Sequence, residues 1–102
     1  MIHVIATIDI QPGKRAEFLE LFKANVPNVL AEEGCVSYEP TVDVEADTGA
    51  QPPLRDNVVV VVEQWANLAC LHAHLHKPHM ATYREQVKDL VRHVELRVLR
   101  SA

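Results

Sequence analysis

Between Glu63 and Met80 the chain reads EQWANLACLHAHLHKPHM. These 18 positions hold the only Trp, Trp65, and four of the six His: His72, His74, His76 and His79. Imidazole has an unperturbed pKa of about 6.5, so it can give or take a proton near neutrality. An indole offers a flat apolar face and one N–H donor. The segment is therefore equipped for acid–base chemistry on a bound organic molecule. Metal binding is the competing use of clustered His, and His72 and His76 have the i, i+4 spacing that a helix can turn toward one ion. No carboxylate accompanies them at matching spacing, and HxHxH on a helix sends alternate residues to different faces, so no metal site is expected. His3 and His93 are expected on the surface of strands.

The elements around this segment follow from hydrophobic spacing. Ile2, Val4, Ala6, Ile8 and Ile10 share one parity and predict a first strand with one apolar face. Gln11-Pro12-Gly13 turns it. From Lys14 to about Glu32 the residues Phe18, Phe22, Val26 and Leu30 recur every four positions, as a helical stripe would. Pro27 interrupts that pattern and predicts a kink or break. Gly34 suits the left-handed position that ends a helix. A second strand is expected over Cys35 to Glu45 with Val36, Tyr38, Val42 and Val44 on one side. A polar loop, Ala46 to Asn57, follows as a candidate lid or dimer arm. The run Val58 to Val62 opens a third, buried strand ending at Trp65. Asn67 is a suitable N-cap for a short helix with Leu68, Leu71 and Leu75 inward. Pro78 reads as the first residue of another helix, with Met80, Tyr83, Val87 and Leu90 buried. Val94, Leu96 and Val98 predict a closing strand.

Composition narrows the function class. The 102 residues are 48% hydrophobic and 24% charged, which fits one globular domain spanning 1–102. A net charge of −4 provides no basic face for nucleic acid. No apolar run approaches the roughly 18 residues that span a bilayer, and the N-terminus lacks the basic and cleavable parts of a signal peptide. Cys35 and Cys70 form neither a disulfide framework nor a CxxC motif and read as small buried hydrophobes. A cytoplasmic location is the expectation.

The order β-α-β-β-α-β, with the second helix broken in two, predicts an α+β, ferredoxin-like antiparallel sheet with its helices on one face. Helices cover only one side of such a sheet. Val58, Val60 and Val62 nevertheless accompany Val59 and Val61, and Ile5 and Leu99 fall on the parity opposite their strands' main apolar face. An exposed sheet face of Val and Ile is unfavourable at roughly 25 cal/mol per Å2. A homodimer through the open sheet face is expected to cover it.

With this order in hand, the chain resembles the antibiotic biosynthesis monooxygenase (ABM) domain over essentially its whole length. The resemblance rests on EEGCVSYE at Glu32 to Glu39 and on W-x8-H-x4-H formed by Trp65, His74 and His79, with Pro78 just ahead of the second His. It implies a dimeric α+β barrel with a pocket between sheet and helices in each subunit. It also implies, for some members, quinol or polyketide oxygenation by O2 without a metal, flavin or other prosthetic group; others degrade haem, isomerise small phosphorylated sugars, or have no known activity. Ile2 to Ile10 contains no Asn such as haem-degrading members use. Val61 stands four residues ahead of Trp65, where polyketide monooxygenases have Asn.

An electron-rich quinol is itself the reductant of O2. The protein need only take a proton, stabilise the anion and hold the ring in a dry pocket. His74 or His79 is the candidate general base. Trp65 is the candidate surface for stacking, with its N–H toward an oxyanion. Tyr38 and Tyr83 are candidate hydrogen-bond partners for a quinone oxygen, and Arg84 for an enolate or peroxide. The expected function is a cofactor-independent monooxygenase acting on a small aromatic molecule with O2. The alternatives are a non-catalytic small-molecule-binding dimer and a His-dependent isomerase on the same fold.

Overall fold

A computed structural model describes residues 1–102 as seven elements: β1 (Ile2–Ile10), α1 (Arg15–Leu30), β2 (Cys35–Thr41), β3 (Val58–Trp65), α2 (Leu68–Leu75), α3 (Pro78–Val87) and β4 (Val91–Leu99). All strand pairs are antiparallel and the sheet order is β2-β3-β1-β4. This is the expected α+β, ferredoxin-like arrangement. The even-numbered residues of β1 from Val4 to Ile10 are buried, and they join Phe18, Phe22, Leu71, Met80, Tyr83 and Val87 from the helices in one core.

Opposite residues of an antiparallel pair share a face, so the register sorts the sheet into two sides. Tyr38, Glu63, Val4 and Val98 form one row across the inner side. Ile5 lies beside Val62, and Thr7 beside Val60, on the outer side. Val94, Leu96 and Val98 share the inner parity, yet each is about half exposed because β4 is an edge strand.

Several local expectations meet corrections. Helix α1 continues through Pro27 to Leu30. Pro27 and Lys23, whose carbonyl the missing N–H would have bonded, are both exposed, so water can reach that carbonyl, and the Ala31 N–H closes the last turn on the Pro27 carbonyl. The buried stripe is Phe18, Phe22 and Val29, with Leu30 exposed. A strict repeat of four drifts by about 40° per step on a 3.6-residue helix, which carries Leu30 off the core side. Strand β2 ends at Thr41, and of its predicted inner residues only Tyr38 is buried, Val36, Val42 and Val44 being exposed. In α2 the inward pair is Leu71 and His74, while Leu68 is exposed. Asn67 caps α2 as expected, its Oδ1 accepting the Cys70 N–H at 2.9 Å, and Pro78 opens α3. The long connection from β2 to β3 is clamped by Asp43, which accepts from Arg55 Nε, NH2 and backbone N–H at 2.9 Å each. Those bonds hold the Asp43 carboxyl down to about 2.

Gly34 links α1 to β2 at φ +78°, and a Cβ there would run into Cys70 Sγ and stand 2.8 Å from its Cβ. Close approach of this turn to α2 therefore requires glycine. Gly34→Ala is expected to lose roughly 2–4 kcal/mol from backbone strain plus overpacking. Adding Cys70→Ala should return part of the loss, because it removes the nearest clashing atom. Urea unfolding of the parent, the single variants and the double variant measures this coupling.

Candidate active site

The strand with five successive valines positions the site. Its inward parity is Val59, Val61, Glu63 and Trp65, all buried. Facing them are Leu71 and His74 from α2 and Met80, Tyr83 and Val87 from α3. Between sheet and helices lies a cavity of about 400 Å3 whose 18 lining residues include 14 hydrophobic ones. That volume falls within the roughly 300–1,000 Å3 of small-molecule sites. The polar groups in its wall are Glu63, His74, Arg84 and Lys88, with the hydroxyls of Tyr38 and Tyr83. The exposed Val94 and Leu96 form part of the same wall.

His74 is the imidazole that the fold delivers to this cavity. The residue is 2% exposed, and its ring packs 4.7 Å from the Trp65 ring centre and 5.5 Å from that of Tyr38. Nδ1 lies 2.9 Å from Glu32 Oε2, just past the end of α1. A carboxylate there selects the Nδ1–H tautomer and leaves Nε2 as the basic nitrogen. Burial pushes the His74 pKa below its ordinary value, and the Glu32 hydrogen bond opposes that shift. The ring is therefore held toward its neutral form and oriented by the Glu32 carboxyl.

His79 stands elsewhere. Its Nε2 is 3.0 Å from the same Glu32 oxygen, and its side chain is 24% exposed. It lines a smaller, more polar cleft of about 240 Å3 between α1 and α3, together with Asn25, Asn28, Thr82 and Gln86. Of the two candidate bases, His74 borders the large cavity and His79 does not.

Trp65 requires a correction. It is fully buried, forms no part of the cavity wall, and donates its indole N–H to Glu63 Oε1 at 2.9 Å. Neither its ring face nor its N–H is open to a ligand, because the strand turns it inward beneath His74. Tyr38 and Tyr83 do border the cavity. Burial drives both phenol pKa values far above the ordinary range, so they remain protonated donors. Arg84 reaches the cavity from α3 while an NH2 donates to the Leu75 carbonyl at 2.6 Å. His72 and His76 are exposed, and His76 Nδ1 lies 2.9 Å from the His72 carbonyl. Cys35 and Cys70 are half-buried rather than buried. Burial, reinforced by Glu32 and Glu63, pushes the Cys35 thiol up to about 11, which keeps it protonated.

Two carboxyls at the candidate site, Glu63 and Glu32, have no role in the expectations drawn from the sequence. Glu63 is 5% exposed in an apolar wall, and burial raises its pKa from 4.5 to about 7 against the lowering effect of the Trp65 N–H, with the Glu32 charge adding to the rise. Its parity with Val59, Val61 and Trp65 was a usable sign that the carboxyl points inward. Glu32 had no comparable sign, because its partners lie 42 and 47 residues away on other helices.

Comparisons with known proteins agree on the family. Residues 1–86 match the family model described as antibiotic biosynthesis monooxygenase. The chain is 44% identical over 101 residues to the Escherichia coli K12 protein named "Probable quinol monooxygenase YgiN", covering 97% of this chain and 96% of that one. Among solved structures, Pseudomonas aeruginosa PA3566 superposes with a TM-score of 0.80 at 25% identity, covering 99% of this chain and 94% of that one. Mycobacterium tuberculosis Rv0793 gives 0.75 at 29% identity with the same coverage.

The raised Glu63 pKa has a signed consequence for stability. The folded protein holds this proton more tightly than the unfolded chain, so the contribution is full below about pH 4.5 and is lost as pH rises through about 7. Glu63→Gln keeps an acceptor for the Trp65 N–H without the buried charge. The variant is expected to match the parent near pH 4.5 and to exceed it at pH 8 by about 1–3 kcal/mol. Chemical denaturation of both proteins across pH 4.5–8 tests this. The difference between them removes the opposite pH dependence that His74 contributes to each.

Proposed function

This chain belongs to the antibiotic biosynthesis monooxygenase family, and we propose that it oxygenates a small aromatic quinol with O2 without a bound cofactor. The observation that carries the proposal is the Glu32–His74 pair at the wall of an apolar cavity, His74 Nδ1 lying 2.9 Å from the carboxylate. A binding module would have use for the cavity but not for an imidazole oriented in this way. The 44% identity to a protein named as a probable quinol monooxygenase supports the choice of quinol.

His74 Nε2 takes a hydroxyl proton from the quinol, and the resulting anion is electron-rich enough to reduce O2. Electron transfer and collapse of the radical pair form a carbon–oxygen bond to the ring, giving a peroxide. Loss of the ring hydrogen as a proton, cleavage of O–O and return of a proton to the departing oxygen give water and a hydroxyquinone. The sum, quinol plus O2 to hydroxyquinone plus water, balances with no external reductant. Glu63, poised near pH 7 within the cavity wall, protonates the peroxide and recovers its proton from the ring carbon, while the proton taken by His74 returns to the departing oxygen. Tyr38 and Tyr83 hydrogen-bond the ring oxygens, and the Arg84 guanidinium offsets the peroxide charge. Trp65 positions Glu63 through its N–H and His74 through ring packing. Exclusion of water by the apolar lining strengthens each of these electrostatic effects.

The homodimer belongs to the same proposal. The outer sheet side carries Ile5, Val60, Val62 and Leu99, with Val62 38% and Leu99 47% exposed in the isolated chain. A second copy would cover this apolar strip. The single core cluster supports treating residues 1–102 as one ABM-like unit. No helix is long and apolar enough to cross a membrane.

Oxygen uptake above autoxidation is expected over a panel of naphthoquinols and anthrones, unchanged by chelators. His74→Ala should lower kcat by about 100-fold or more. Uptake by the parent no faster than autoxidation across the panel would overturn the oxygenase reading. Sedimentation velocity should give a dimer for the parent and a monomer for Val62→Glu; a parent that sediments as a monomer would remove the proposed interface.

A further inference from the structure

The Glu32 carboxylate lies between two cavities. On one side His74, which borders the apolar cavity, places Nδ1 at 2.9 Å from Oε2; on the other His79, which borders the polar cleft, places Nε2 at 3.0 Å from the same oxygen. Glu32 and His74 side chains are 5% and 3% exposed, whereas His79 is 24% exposed. Glu32 Oε1 and both ring nitrogens of His79 are buried without an aligned hydrogen-bond partner. Unpartnered buried polar atoms are costly, and three of them around one carboxylate need an account beyond packing. The other titratable groups bearing on the cluster are Cys35 and Tyr38 from β2, Glu63 from β3 and Arg84 from α3.

We propose that His74, Glu32 and His79 form a proton relay that carries the substrate's proton out of the apolar cavity, holds it on His79 beside the polar cleft, and returns it later in the same turnover. This rests on the oxygenase reading above. In the outward direction His74 Nε2 gains the quinol proton, His74 Nδ1 passes one to Glu32 Oε2, and Glu32 passes one to His79 Nε2. The products are an Nε2–H tautomer at His74 and a His79 imidazolium paired with the Glu32 carboxylate. The reverse sequence returns the proton to the cavity and restores the Nδ1–H tautomer, so no ring needs to reset through solvent. The direction follows from solvation. The His79 side chain, 24% exposed beside the polar cleft, is less desolvated than the nearly enclosed His74, so an imidazolium costs less there even though its ring nitrogens are buried. Moving the positive charge away also leaves the quinol anion a stronger reductant of O2. His79 is thus a positioning residue for a proton and does not contact substrate.

The test uses His79→Ala, which opens a space beside Glu32 on the cleft side. The expected result is a kcat lower by about tenfold or more at unchanged KM, restored by added imidazole, with an altered solvent isotope effect. An unchanged kcat, or a loss that imidazole does not restore in a folded variant, would overturn the relay. Nitrogen-15 NMR of the unaltered protein provides an arm that requires neither the variant nor turnover. Titration of the cluster should move the His74 and His79 nitrogen signals together, and a titration of either ring that leaves the other's signals unmoved would refute coupling through Glu32. If the parent turns over no quinol, the oxygenase reading fails, and the NMR arm still decides whether the three groups share a proton.

Discussion

Burial of one carboxylate governs this site. Glu32 is held away from water at the end of α1, where a carboxyl without hydrogen-bonding partners would be costly. His74 from α2 and His79 from α3 supply them, so a single oxygen ties the end of the first helix to both halves of the second helical segment. Removing a partner from such a group typically costs about 3–5 kcal/mol, more than replacing the whole set by apolar residues. The arrangement is therefore weak as a means of stabilisation and strong as a means of orientation. It selects the tautomer of His74 and aims the free nitrogen at the apolar cavity.

The neighbouring carboxyl is managed differently. Glu63 has an indole N–H for a partner and no cation, so burial shifts it toward the neutral acid. Two carboxyls in one small domain thus have different environments, one beside imidazoles and one under an apolar wall. Where paired titratable groups are pushed in different directions, acid and base roles separate. His74, driven toward the neutral base, and Glu63, driven toward the neutral acid, are such a pair in one cavity.

Much of the fold could be read from period and punctuation. The parity of Ile2 to Ile10, the Asn67 cap and the Pro78 start all lie where their chemistry requires. The differences have geometric causes: a repeat of four drifts off one helical stripe, and a proline near a solvent-facing helix end leaves the helix unbroken. The candidate site was half legible. His74, Tyr38, Tyr83 and Arg84 do border one cavity. Trp65 does not: it shares the inward parity of Val61 and Glu63, which do line the cavity, but it lies at the strand end packed beneath His74, which parity alone does not reveal. Glu32 was illegible in principle, since a contact over more than 40 residues depends on how three elements pack.

The break between α2 and α3 has a geometric consequence for this ion cluster. Five residues apart on an unbroken helix, two side chains are rotated by about 140° about the axis and point to nearly opposite sides. His74 and His79 are five apart and meet the same oxygen. The chain achieves this by ending one helix at Leu75 and starting the next at Pro78, which lacks the N–H that continuation would demand. The proline therefore acts as a change of axis, folding a divergent pair of rings into a convergent one. The angle between the two short helices is a structural parameter of the proposed acid–base chemistry.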